Sequence, residues 1–186
     1  MPAVEAAPLL LGCILKRQTE DGLVSLKIVE TEAYHDEDPA SHSYKWKTER
    51  TAPMFKVGGH LYVYFTYGMH YCLNIVVGQS GRGEAVLLRA AEPLEGLEIM
   101  RRNRGRNISD KNLANGPGKL AQALGITDTS FSGEKLNMLS IWLELGEKIK
   151  KNKISVSTRI GITHGVEAQL RFYIKDNPFV SRYNVR

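Results

Sequence analysis

The sequence predicts a single α+β domain spanning residues 1–186, with a curved, largely antiparallel sheet, surrounding helices and one protruding β-hairpin. Three observations point there. Runs with strand alternation outnumber runs with helical periodicity. Neighbouring strand runs are joined by short Gly-containing turns, which suit antiparallel pairing. The chain has 186 residues, 42% hydrophobic and 24% charged, enough for one domain with a real core.

In chain order, Val4–Leu11 reads as a short helix. Cys13–Arg17 and Leu23–Thr31 then form a hairpin around Gln18–Gly22, with Asp21-Gly22 as its turn signal. Strand alternation puts Val24, Leu26, Ile28, Glu30, Glu32 and Tyr34 on one face, which begins apolar and ends in two carboxylates and a phenol. A carboxylate that continues a core face must be paired, hydrogen-bonded or given a chemical task, although a strand reaching solvent at Glu30 reads the same way. Pro39 and the clustered acids make His35–His42 a loop, and a solvated acidic loop explains Asp36, Glu37 and Asp38.

Ser43–Ala52 sets Tyr44 and Trp46 among Lys45, Lys47 and Arg50, a mixture that suits nucleic acid and also an ordinary exposed loop. Met54–Gly59 reads as a turn. His60–Tyr67 and Tyr71–Val77 form a second hairpin, with Leu61, Val63 and Phe65 on one face and Tyr62, Tyr64 and Thr66 on the other. Its tip, Tyr67–His70, presents an aromatic and a methionine, as an interaction site would, or a wedge between stacked bases. Asn74 lies in phase with Cys72 and Val76 in an apolar strand, where an amide needs partners or a purpose. Val86–Ala91 reads as a buried strand with Arg89 as its anomaly.

Pro93–Arg104 reads as a helix ending in the basic cluster Arg101–Arg106. Gly116-Pro117-Gly118-Lys119 precedes a helical Leu120–Leu124, and free amides with one Lys at a helix start suit a phosphate. Thr127–Gly133 reads as a loop, Ser140–Leu145, Ile154–Arg159 and Leu170–Ile174 as strands, Asn177-Pro178 as a turn and His164 as structural.

Lys and Arg number 25 against 20 acids, a formal charge of +5, which permits a polyanionic partner without requiring one. Cys13 and Cys72 have neither metal-ligand spacing nor disulfide density and fit a reducing setting. No apolar run suits a membrane span, and Met1–Leu11 lacks the features of a secretion signal. Glu30, Glu32, Asp36, Asp38 and His42 could serve a metal-dependent nuclease or phosphatase, although their spacing matches no defined site. The aromatics alone could serve a non-catalytic binder of damaged DNA.

Several ordered blocks carry a resemblance. They are Val29-Glu30-Thr31-Glu32-Ala33-Tyr34, His42-Ser43, Leu61-Tyr62-Val63-Tyr64, Tyr67-Gly68-Met69, Asn74, Val86-Leu87-Leu88-Arg89-Ala90 and Glu92-Pro93-Leu94-Glu95-Gly96. Gly116–Leu120, Arg159-Ile160-Gly161 and Leu170-Arg171-Phe172-Tyr173 follow. Together they resemble the alkyladenine (3-methyladenine) DNA glycosylase family from the first hairpin nearly to the C-terminus. Two departures are local: the loop from Tyr34 to His42 is one residue shorter, and Tyr44 and Trp46 stand where the family tends to a Gly/Arg-rich loop.

The resemblance implies base-excision repair by a monofunctional enzyme that flips a damaged purine out of duplex DNA. It implies Glu32 as general base, with Arg89 facing it and the Ile160 carbonyl touching the water. Tyr34, His42 and Tyr64 would form the base pocket and Asn74 would screen the base edge. Tyr67 would fill the gap in the duplex, while Arg50, Met54, Met69, Gly118 and Lys119 would contact DNA. A monomer acting on double-stranded DNA without metal, cofactor or membrane is expected, at the nucleoid in a bacterial cytoplasm or in a eukaryotic nucleus.

Overall fold

The computed structural model describes residues 1–138 and 140–181. Helix α1 (Ala3–Leu9) leads into β1 (Ile14–Thr19) and β2 (Gly22–Tyr34). A 3-10 turn over Ala52–Phe55 precedes the hairpin of β3 (Leu61–Thr66) and β4 (His70–Val76). Next come β5 (Ala85–Glu95), α2 (Leu97–Arg104), α3 (Asp110–Leu113) and α4 (Pro117–Ala123). Three short strands follow: β6 (Ile141–Glu144), β7 (Ile154–Ser157) and β8 (Arg171–Ile174). The α+β expectation holds. The strands form one curled antiparallel sheet in the order β3-β4-β5-β2-β1-β6, with the β7–β8 pair joined to β2.

Strand β2 is the axis. Along one edge it pairs with β5 over almost its whole length, and along the other it pairs first with β1 and then, at Glu30–Glu32, with β8. A strand flanked on both sides has its backbone groups satisfied, so polar side chains there depend on side-chain partners.

The expected common face from Val24 to Tyr34 is broken. The pairing with β5 skips Val29 on β2 and Arg89 on β5. One extra residue reverses the alternation beyond it. Val24, Leu26 and Ile28 therefore face the main core, and beyond the bulge Ala33 rejoins that core while Thr31 donates its hydroxyl to the Ala7 carbonyl of α1. Glu30, Glu32 and Tyr34 project from the opposite face. Arg89, the extra residue on β5, projects there with them, reaching both glutamates.

Two layers result. α1 and α4 cover one side of the sheet with Ala3, Ala7, Leu120, Ala121 and Leu124 in the main core. The other side carries a row across four strands, Tyr62↔Asn74↔Leu87↔Glu32, continued to Arg171 on β8. Directly opposed residues of an antiparallel sheet share a face, so this row draws residues distant in sequence into one site.

The expected helix over Pro93–Arg104 starts four residues late. Pro93, Leu94 and Glu95 complete β5, and the chain turns at Gly96, whose φ of 78° is left-handed. A Cβ there would lie 2.4 Å from the Leu23 carbonyl oxygen, so the turn requires glycine. The expected Met54–Gly59 turn starts earlier, as the 3-10 turn, and α3 carried no periodic signal.

Candidate active site

A cleft of about 260 Å³ opens on the charged side of the sheet, at the small end for ligand sites. Tyr34, His42, Tyr62, Tyr64, Tyr67, Asn74, Leu87, Arg89 and Ile160 line it. Tyr62, Tyr64 and Thr66 come from the polar face of β3, and Cys72 and Asn74 from the matching face of β4.

One wall is aromatic. The His42 ring stands edge-on to Tyr64 with centroids 4.5 Å apart. Its Nδ1 lies 3.0 Å from the Tyr62 hydroxyl, which fixes the ring. Burial, aided by the nearby Arg50 charge, pushes the His42 pKa down, so the neutral imidazole is favoured. Burial likewise raises Tyr64 well above the usual phenol range, and takes Tyr62 to about 12 and the Cys72 thiol to about 11. This wall is therefore polar but uncharged at neutral pH. Asn74 donates Nδ2 to the Tyr62 carbonyl at 3.0 Å, which holds its amide in one orientation beside the cleft.

The charges gather behind the opposite wall. Glu32 is wholly buried; it does not itself form the cleft surface, but three of its neighbours do. Its Oε2 accepts the Tyr34 hydroxyl at 2.8 Å, and its Oε1 accepts the Ile160 backbone N–H at 2.9 Å. Arg89 Nη1 stands 3.3 Å from the same Oε1 and donates to the Ile160 carbonyl at 3.4 Å. Burial opposes the Arg89 charge, yet the Glu32 and Glu30 carboxylates outweigh it and its pKa rises. Tyr34 is raised by burial and then by Glu32, so it stays a neutral donor.

Glu30, also wholly buried, is more fully engaged. Its Oε1 accepts Arg89 Nε at 3.1 Å, Arg171 Nε at 2.5 Å and the Ser181 hydroxyl at 2.8 Å, and its Oε2 accepts the Ser181 N–H at 2.7 Å. A second ion pair joins the acidic loop to the site. Asp38 was expected to be solvated, but it is buried and paired with Arg159, whose Nη2 donates to Oδ1 at 2.9 Å. Arg159 also donates to the Ala33 carbonyl at 3.0 Å, and its guanidinium lies 4.6 Å over the Tyr34 ring. The Pro39–His42 segment is thus tied to β2.

The proposed metal donors do not converge. Asp36 is held by Arg82, Asp38 by Arg159, and Glu30 and Glu32 by Arg89. Among the described residues no group of three or more His, Cys, Asp or Glu is placed to hold an ion.

At the cleft mouth the hairpin tip is exposed: Tyr67 by 77% and Met69 by 70%. Tyr67 and Gly68 both have positive φ, 52° and 68°, and Met69 N–H bonds the Thr66 carbonyl at 3.3 Å, closing a tight turn. A Cβ on Gly161 would lie 3.4 Å from the Tyr67 hydroxyl, so this ring leans towards the Ile160–His164 segment. Gly118 packs under the tip, where a Cβ would come within 3.0 Å of the His70 side chain. Lys119 is half-buried, donates Nζ to Asn115 at 2.8 Å and has its pKa lowered by burial and then by Arg104. Arg50 is exposed, with its guanidinium 5.6 Å over the Tyr64 ring.

Met54, expected to contact DNA, is 2% exposed and packs with Tyr62, Val76 and Ala85, where the 3-10 turn brings it into the cleft lining. His164, expected to be structural, lines the rim with Ile162 and Thr163. Sequence reasoning also missed Leu87, which the cross-strand row exposes, and the partners Arg171, Ser181 and Arg159, for which local spacing holds no signal.

A curled antiparallel sheet carrying a small aromatic cleft, backed by a buried carboxylate–guanidinium pair, defines an α+β protein with its acid set behind a binding cleft. Comparison with known proteins names its family. The model of the methylpurine-DNA glycosylase (MPG) family matches residues 1–178. A protein of Carboxydothermus hydrogenoformans is 49% identical over 174 residues, covering 93% of this chain and 90% of the relative. One from Chlorobaculum parvum is 47% identical over 182 residues, covering 97% and 86%, and one from Methanoculleus marisnigri is 44% identical over 181 residues, covering 96% and 93%. All three bear the name "putative 3-methyladenine DNA glycosylase". The chain belongs to the methylpurine-DNA glycosylase family: it is a DNA glycosylase, and its substrate is damaged DNA.

Proposed function

We propose that this glycosylase excises alkylated and deaminated purines, of the 3-methyladenine, 7-methylguanine, hypoxanthine and ethenoadenine class, from duplex DNA without cutting the strand. The observation that carries the reading is the Glu32 carboxylate, buried behind the cleft among Tyr34, Arg89 and Ile160. A base swung out of the stack enters between Tyr34 and the His42–Tyr64 wall. Water held by the Ile160 carbonyl and Glu32 attacks C1′ as the bond to the purine breaks. Glu32 takes the water's proton, and its negative charge favours the cationic sugar that develops. Arg89 keeps the carboxylate aimed, and Tyr67 occupies the space the base has left. The pinned Asn74 amide disfavours a base bearing an amino group at position 2, so unmodified guanine is rejected, while 7-methylguanine carries the same group but a weaker glycosidic bond and is the slowest of the class. Among the described residues no lysine lines the cleft, which favours direct attack by water over a Schiff-base intermediate and hence no lyase step.

The test uses a duplex with one hypoxanthine, incubated with the protein in EDTA and analysed on a sizing gel with and without alkali. A break that appears only after alkali is the expected result. Breakage without alkali means lyase activity, and loss of all activity in EDTA means metal-dependent chemistry.

A further inference from the structure

The cleft explains His42 and Arg50 but not the segment between them. Both ends of that segment are fixed. Ser43 is buried and donates its hydroxyl to the Gly83 carbonyl at 2.7 Å, with the Ser41 hydroxyl also 2.7 Å away. Thr48 and Thr51 exchange backbone-to-hydroxyl bonds of 2.9 and 3.2 Å. The middle is held outward. Trp46 N–H bonds the Tyr44 carbonyl at 3.0 Å across Lys45, whose φ is 70°, giving a three-residue turn with Trp46 on its outer limb.

Trp46 is 73% exposed and has no aromatic or hydrogen-bonding partner for its ring among the described residues. The other tryptophan, Trp142, is half-buried and donates its Nε1 to Glu144 at 2.8 Å. Lys45 lies 5.3 Å over the Tyr44 ring, and Lys47 lies 5.9 Å over Phe55. A large apolar ring held out in water between two lysines is a poor solution for an isolated surface and a good one for a nucleic acid. The lysines answer phosphates, and the indole answers a base or sugar face.

We propose that Tyr44–Lys47 is a second DNA-gripping element, with Trp46 stacking on a nucleotide flanking the flipped one and Lys45 and Lys47 paired to phosphates on either side. The inference rests on the proposed entry of the base at this cleft. Reach fixes the location. Trp46 is four residues from His42, so its backbone lies within roughly 14 Å of the cleft wall. At about 3.4 Å per base step, that reach covers the nucleotides next to the lesion and excludes distant DNA. Arg50, over the Tyr64 ring, brings the returning chain back to the same wall. The element therefore approaches the cleft from its His42 side, while the Tyr67 ring leans to the Gly161 side.

The chain has two tryptophans, so Trp142→Phe leaves Trp46 as the only indole emitter. This protein is titrated with a hypoxanthine-containing duplex while the anisotropy of a label on the DNA reports binding independently. Quenching of Trp46 that follows the anisotropy is expected. Trp46→Ala raises Kd by at least about fivefold and Trp46→Phe recovers most of the loss, as stacking requires. Lys45→Ala and Lys47→Ala each flatten the plot of log K against log salt by about 0.9. Unchanged emission at saturating DNA overturns the proposal, as does a Kd for a folded Trp46→Ala protein within twofold of the parent. Self-association that disappears in Trp46→Ala would assign the indole to a second copy of the chain and also overturn it. Excision by the parent is measured alongside. Binding that quenches Trp46 without any excision would sink the cleft chemistry and leave this element standing.

Discussion

Glu30 and Glu32 stand two residues apart on β2, both wholly buried and both facing Arg89. Glu30 accepts four hydrogen bonds from three residues and has no direction left in which to act. Glu32 accepts two hydrogen bonds beside the Arg89 contact, and each of its partners also faces the cleft. The difference separates two uses of a buried carboxylate. One neutralises two arginines and fastens β2 to β5 and β8. The other is held in position with capacity to accept a proton. Burial and charge alone do not distinguish them; the identity of the donors does.

The largest expected effect comes from Glu32→Gln, which preserves shape and removes the base. Single-turnover excision of hypoxanthine should fall by ~100- to 10,000-fold while lesion-duplex binding persists. A rate within tenfold of the parent would end the distinction between the two glutamates. Glu30→Gln should show the reverse. Leaving Arg89 and Arg171 without their common counter-charge should cost about 3 kcal/mol of stability. The midpoint of thermal unfolding should then drop by roughly 6–12 °C, with excision kept within an order of magnitude. A melting curve matching the parent, combined with lost excision, would make Glu30 the chemical partner.

Tyr67→Ser tests the exposed counterpart of this rigid layer. Unstacking a base costs on the order of a few kcal/mol, so losing the plug should lower the flipped population about tenfold. Ethenoadenine fluorescence in the bound duplex reports it, and an unchanged signal would reduce the tip to a turn. The smallest effect concerns pH. The folded-state pKa of His42 lies below its ordinary value of 6.5, so the folded protein binds fewer protons than the unfolded chain in that range. Its contribution to stability is complete above pH 6.5 and declines as pH falls through the lowered folded value. Parent and His42→Gln melting curves should therefore separate below pH 6.5 and run parallel above it; parallel curves throughout would remove this account of the His42 imidazole.

Much of this was legible because alternation survives where strands pair regularly. Tyr62, Tyr64 and Asn74 share the cleft face that their spacing predicts. Arg89 was detectable as a charge inside an apolar run. Its route to the site was not, because the bulge that turns it there is a property of two strands rather than one. The same bulge defeated the single face assigned to Val24–Tyr34. Asp38 was misread because its partner Arg159 lies 121 residues away, and the burial of Met54 was not visible because a short 3-10 turn has no periodicity to reveal its inward direction.

The separations within the carboxylate cluster have a kinetic consequence. Glu30 meets Arg89 across 59 residues and Arg171 across 141, and Glu32 meets the Ile160 amide across 128. The β1–β2 hairpin is local and can close early, whereas long loops close slowly because their entropy is lost before the contacts form. Until β8 docks on β2, a refolding chain holds two acids in the sheet without their full set of partners. Assembly of the chemical centre thus becomes one of the last events in folding, coincident with completion of the tertiary structure. A refolding experiment should recover excision in the same phase that restores the native near-UV signal, with no active species preceding it.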